Sequence, residues 1–277
     1  MKVERASRRG PARAGSLVLR GCLWSVPALF LGIGGCSLGQ GEGAVHSDAL
    51  YVAECSQPSE LSCPSSDGST DVGCDNYDLL PDFFAAVPYR EQILINIQRG
   101  SDISELSDGL AVLVSDVPVI REAIEQKREL ARAAGATEEE ALQAYVEVPV
   151  GLPAGIEPPG APETPLPPCD ERTQVCTAQA VAVSLYLQKS CHNQNSVLYA
   201  VSGYVRFRSL FSGDLNEKSA SEKLTDGEFD VVVGDPRDAP QGEPIDGDAI
   251  PAKLTSRLTG YFRFYFERGK PAQPFPG

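Results

Sequence analysis

The sequence predicts an α+β protein, with an antiparallel β-sheet or small sandwich in its C-terminal half packed with a mixed helical N-terminal half. Three observations carry this reading. Residues 175–268 alternate apolar and polar side chains with a period of two, the pattern of strands with one buried face. Residues 116–135 place apolar side chains at helical spacing between a capping aspartate and a glycine. Residues 148–168 hold eight prolines and divide the two halves. With 277 residues, 42% of them hydrophobic, the chain is long and apolar enough to build a sizeable core.

The first element, residues 1–35, reads as an address. Lys2, Arg5, Arg8, Arg9, Arg13 and Arg20 make its start basic, and residues 21–35 (GCLWSVPALFLGIGG) follow as an apolar stretch. A membrane-spanning helix needs roughly 20 apolar residues, so this stretch is too short to span and fits a cleaved signal peptide. The sequence Ile33, Gly34, Gly35, Cys36 resembles the lipobox of bacterial lipoproteins. The resemblance covers residues 1–40. It implies cleavage before Cys36, a diacylglycerol thioether on that cysteine and acylation (palmitate) of the new amino group. It places the chain in the cell envelope (outer membrane or periplasm) as a lipid-anchored protein, and Ser37 implies sorting to the outer membrane. Residues 36–54 are then expected to be the lipidated cysteine and a flexible tether, whose 18 steps span about 20–25 Å. The ending GYFRFYFERGKPAQPFPG resembles that of predicted lipoproteins for which no activity is known, so it implies no mechanism.

Six cysteines follow the anchor: Cys55, Cys63 and Cys74, then Cys169, Cys176 and Cys191. An exported protein meets oxidising conditions, so these are disulfide candidates, with 15 pairings open. Three cysteines cannot pair among themselves. If all six are bonded, at least one bridge joins the early cluster to the late one. Residues 55–147 and 169–277 would then form one stapled unit. The spacing lacks any Cys-x2-Cys pair, which argues against a zinc ribbon.

Within residues 55–147, Ile93, Ile95 and Ile97 alternate as a strand, and LAVLV from Leu110 is a second apolar run. Asp116 can cap a helix with Pro118 in its first turn and Gly135 at its end, burying Ile120, Ile124, the Lys127 stem and Leu130. Thr137 and Glu140 form a capping box for a helix extending to about Val146. The linker at 148–168 excludes helix and central strand. In residues 169–277, four strands are expected: Val181, Val183, Leu185 and Leu187 on one face; Val197, Tyr199, Val201, Val205 and Phe207; Phe229, Val231 and Val233; and Leu258, Phe262, Phe264 and Phe266. His192 to Asn195 reads as a hairpin turn.

Charge excludes one class of partner. Beyond Cys36 the chain carries 18 basic and 37 acidic side chains, a surface that repels nucleic acid and anionic lipid headgroups. Nucleophile elbows, zinc-binding His-Glu-x-x-His, Walker A loops and dinucleotide fingerprints are absent, and no cofactor is implied. The two histidines, His46 in the expected tether and His192 beside Cys191, build no catalytic pair. Acidic loops offer calcium candidates: Asp67, Asp71, Asp75 and Asp78 in one, and Asp235, Asp238, Glu243, Asp246 and Asp248 in the other. Arg206, Arg208 and Arg263 share the polar sheet face with Tyr204, Tyr261 and Tyr265. They read as cross-strand stacking or as a patch for an acidic or sugar ligand. The resulting expectation is a membrane-anchored envelope lipoprotein with a non-enzymatic binding or scaffold role. Its partner would be an envelope protein or polysaccharide, contacted through the sheet and the long acidic loop at 234–255. The alternatives are an envelope hydrolase or carbohydrate-active domain using paired carboxylates, and a calcium-stabilised surface module.

Overall fold

A computed structural model describes residues 40–52, 73–99, 107–153, 180–188, 196–240, 249–268 and 273–274. Among these, eleven strands form one sheet: β1 (Gln40–Tyr51), β2 (Gly73–Leu79), β3 (Phe83–Tyr89), β4 (Gln92–Gln98), β5 (Asp108–Val114), β6 (Val146–Pro149), β7 (Val181–Leu187), β8 (Ser196–Ser209), β9 (Leu224–Gly234), β10 (Thr255–Tyr265) and β11 (Gln273–Pro274). The helices are α1 (Val117–Ala133), α2 (Glu138–Leu142) and the single turn α3 (Ala220–Lys223). The order across the sheet is β11-β1-β10-β9-β8-β7-β5-β4-β3, with β2 also on β1 and β6 also on β8. Every pairing except β1–β11 is antiparallel.

The expected architecture is therefore corrected. The N-terminal half is not a mixed helical layer, and the strands do not form a sandwich. The molecule is mostly one antiparallel sheet curled into a half-barrel. The curl brings the ends of the sheet together. β2 pairs with β1, runs through Leu80, Pro81 and Asp82, and becomes β3, which pairs with β4. Phe84 of β3 stacks on Phe264 of β10 at 5.8 Å between ring centres. Tyr77 of β2 donates a hydrogen bond to Asp108 of β5 at 3.5 Å; burial, with the Asp108 charge beside it, pushes this phenol far above its ordinary range. The concave side is filled by Phe84, Phe207, Phe262, Phe264, Leu110 and Leu185, all fully buried. Eight or so strands enclose a space that side chains can fill, and here they do.

The tether reading fails over residues 40–51, which form β1. The segment QGEGAVHSDALY hides its strand because two inward positions are glycines. A Cβ at Gly41 would stand 2.6 Å from the Phe84 ring. The glycine is the space into which that ring closes the barrel, so a sequence that looks like a leash is a strand with its side-chain room lent to a neighbour.

Other expectations hold locally. Val181, Val183, Leu185 and Leu187 are buried on β7, Phe229, Val231 and Val233 on β9, and Leu258, Phe262 and Phe264 on β10. Ile93, Ile95 and Ile97 are buried on β4. Asp116 caps α1 by accepting from the Val119 amide at 3.2 Å, and Thr137 with Glu140 closes the capping box of α2. Leu130 is exposed instead of buried, because the packed stripe of α1 is Val117, Ile120, Ala123 and Ile124. α2 stops at Leu142, and Val146 starts β6. The start of the proline-rich segment belongs to β6: Val148 pairs with Val205 and Pro149 with Tyr204, beside the half of β8 that lies beyond its pairing with β7. Val148 is buried. The missing amide of Pro149 is tolerated in this four-residue side strand.

The first half of β8 is out of phase with expectation. Leu198 and Ala200 face the core, and Val197 and Tyr199 do not. A register shift between Ala200 and Ser202 is a β-bulge, which inserts one residue and swaps the faces. Gly203 follows it with φ +108°, and a Cβ there would lie 2.3 Å from the Asp230 carbonyl oxygen. Only glycine permits that approach.

Candidate binding groove on the outer sheet face

The outward residues of β8, β9 and β10 make an ordered array. Register sets Tyr204 opposite Asp230, and Arg206 opposite Glu228. On the other side of β9, Thr259 lies opposite Asp230, Tyr261 opposite Glu228 and Arg263 opposite Asp226. A column of carboxylates on β9 thus runs between a column of arginines on β8 and arginines on β10. Beyond these stand Glu147 of β6, opposite Arg206, and Glu42 of β1, opposite Arg263. Alternating charge across strands stabilises each pair by a few tenths of a kcal/mol to about 1 kcal/mol.

The guanidiniums are engaged. Arg206 donates to Glu147 at 2.9 Å and to Glu228 at 3.3 Å. Arg208 donates to Glu228 at 2.8 Å and Asp226 at 3.5 Å. Arg263 pairs with Asp226 at 3.6 Å, and Arg257 donates to Asp230 at 2.8 Å and 2.5 Å. Arg206 also lies over the Tyr204 ring at 4.4 Å and the Tyr145 ring at 5.0 Å, a cation–π sandwich. The expected tyrosine–arginine stacking is present, but it runs along β8 and to Tyr145 before β6. Tyr265 is half-buried at the end of β10.

A groove of about 620 Å³ lies over this array, lined by Tyr204, Arg206, Glu228, Asp230, Thr259 and Tyr261, with Glu42 and Gln143 among its other walls. That volume falls in the range of small-ligand sites. Burial acts to raise the Glu228 carboxyl, but Arg208 and Arg206 outweigh it and hold it below the ordinary glutamate range. Arg257 holds Asp230 below the usual aspartate range. Both are ionised at neutral pH. The groove offers charge-paired planar groups and two tyrosines, a surface for hydrogen bonding and stacking whose lining carries four carboxylates (Glu42, Asp226, Glu228, Asp230) against three guanidiniums (Arg206, Arg208, Arg263).

The remaining candidates are spread over the molecule. Asp235 is held by Arg237, which overcomes the effect of burial and keeps its carboxyl below the aspartate range, and it caps the 3-10 turn Pro236–Asp238 that contains Asp238. Asp78 accepts from His46. Among the described residues no group of three or more His, Cys, Asp or Glu side chains is placed to hold a metal. Asp67, Asp71, Glu243, Asp246 and Asp248 lie outside the described residues, as do Cys36, Cys55, Cys63, Cys169, Cys176, Cys191 and His192. Cys74 is described only as a backbone position of β2, paired with Leu50. Glu147, Asp226, Glu228, Asp230, Tyr145 and Gln143 had no part in the sequence reading of the groove. The alternation in TDGEFDVVV places Asp226, Glu228 and Asp230 opposite the face of Phe229 and Val231, which is the signal that finds them. No family model, curated protein or solved structure matches the chain.

Proposed function

We propose that this chain is a lipid-anchored protein of the cell envelope, sorted to the outer membrane, with a non-enzymatic binding or scaffold role carried by the groove on the outer face of β8, β9 and β10. The supporting observation is the pairing of a packed interior with a built exterior. Fully buried aromatic and aliphatic side chains fill the concave side, so a ligand has the outer face to use, and there a groove is lined by tyrosines and charge-neutralised arginines. Tyrosine and arginine are favoured where interfaces concentrate binding energy. An envelope protein or polysaccharide fits that chemistry, and nucleic acid does not, because 37 acids against 18 bases beyond Cys36 repel it.

The test is site-specific photo-cross-linking in intact envelopes. A photo-reactive residue replacing Thr259, in the groove, is expected to yield one discrete adduct. The same residue replacing Lys127, exposed on α1, is expected to yield none. Protease or glycosidase treatment of the adduct identifies the partner as protein or polysaccharide. Equal smears at both positions, or no adduct at Thr259, overturn the reading.

A further inference from the structure

The floor of the groove is built in rows that cross the strands. Register sets Tyr204, Asp230 and Thr259 in one row and Arg206, Glu228 and Tyr261 in the next. Each carboxylate of the central strand already has a cation. Asp226 is paired with Arg208 and Arg263, Glu228 with Arg206 and Arg208, and Asp230 with Arg257. The guanidiniums of the groove are spent in the same pairs. A charged ligand therefore finds no uncompensated partner on β8 or β9 and would have to break an existing pair to gain one.

Hydrogen-bonding capacity is not used up in this way. A guanidinium has more N–H donors, and a carboxylate more lone pairs, than these pairs occupy. A sugar hydroxyl donates and accepts at once, so it can bond both members of one ion pair without separating them. Tyr261 adds a ring beside them. It is 46% exposed and has only the small Ala44 opposite it on β1.

The carboxylate column also separates a polysaccharide from a protein as the occupant. Aspartate and glutamate are depleted at the buried centres of protein–protein interfaces, and here they form the middle of the floor. Neighbouring strands lie about 4.8 Å apart, close to the length of one sugar unit in an extended chain. A polysaccharide crossing the strands thus meets one polar residue of a row per unit.

We propose that the ligand of the groove is a neutral polysaccharide, laid across β8, β9 and β10 with its hydroxyls bridging the Arg206–Glu228 and Arg208–Asp226 pairs and a sugar face against Tyr261. The inference rests on the groove being the binding surface.

The test is retention of the full chain, extracted from membranes in a detergent that contains no sugar, on immobilised dextran, mannan and hydroxyethylcellulose. Retention on at least one of them is expected, unchanged between low salt and about 0.5 M salt, because an uncharged ligand leaves nothing for salt to screen. Tyr261→Ala is expected to weaken it about tenfold, the effect of losing one aromatic contact. Tyr261→Phe keeps the ring and is expected to stay within about threefold of the wild type. Retention on none of the three, retention that high salt abolishes, or retention that Tyr261→Ala leaves intact overturns the proposal. A photo-adduct at Thr259 whose cross-linked partner is digested by protease and untouched by glycosidases assigns the groove to a protein and overturns the polysaccharide alone. No adduct at Thr259 overturns the groove and its ligand together.

Discussion

Single residues decide where this sheet can bend and where it can be altered. Gly203 sits at φ +108° against the Asp230 carbonyl. Gly203→Ala forces both a strained backbone and a collision, and is expected to destabilise the protein by about 2 kcal/mol or more in urea unfolding. Equal stability would mean that the bulge repacks freely. His46 makes a different kind of residue-scale prediction. Its Nδ1 lies 2.8 Å from Asp78 and its Nε2 3.1 Å from Asp48, so both nitrogens donate only when the ring is charged. Thr259 stands opposite it on β10, and Arg257 is the nearby cation, raised by Asp230 and, further down, by Asp48. The Asp78 bond first, then the Asp48 bond, raise the His46 pKa above 6.5. A folded pKa above the unfolded one stabilises fully below the unfolded value and is lost as pH rises through the folded one. The difference in melting temperature between the wild type and His46→Gln is therefore expected to be largest below about pH 6.5 and to shrink at higher pH. A pH-independent difference would contradict the paired imidazolium.

At the scale of elements, what could be read in the sequence depends on what each strand shows its neighbours. β4, β7, β9 and β10 were legible because large apolar residues alternate without interruption, and α1 because its cap and its proline stand at the right positions. β1 was not, since Gly41 and Gly43 occupy inward positions whose volume Phe84 supplies from another strand. β6 was masked by Pro149, and the face of β8 was inverted upstream of Ser202 by a bulge that leaves no residue signature of its own. The groove was half legible. Arg206, Arg208, Arg263, Tyr204 and Tyr261 were found by alternation, and the same alternation marks Asp226, Glu228 and Asp230 on β9, but which arginine each carboxylate meets, and the part of Glu147 on β6, required register. The closure through Phe84 can be weighed directly. Its ring is fully buried against Phe264 and Gly41, so Phe84→Ala is expected to cost about 3–5 kcal/mol by loss of burial and cavity formation. A loss under about 1 kcal/mol in chemical denaturation would mean that the two ends of the sheet close without it. The ion-pair array behaves oppositely. Exposed pairs are worth about 0–1 kcal/mol each, so Arg206→Ala is expected to leave the melting temperature nearly unchanged while reducing adduct formation at Thr259.

For the whole molecule, β1 ties the early chain into the sheet. Most of the 18-residue leash expected from composition is the strand Gln40–Tyr51. The early chain is bolted to the C-terminal sheet by the β1–β10 ladder, whatever the cysteines do. A filled interior and a groove on the outer wall suit the proposed role, in which one outward surface does the binding. All of this depends on where the mature chain begins. The most direct test is the intact mass and N-terminal peptide of the protein extracted from membranes. The expected result is a chain starting at Cys36, carrying a diacylglycerol thioether and an acylated amino group, with no tryptophan emission because Trp24 has been removed. A chain that retains Trp24, or one whose Cys36 carries no lipid, would contradict the account.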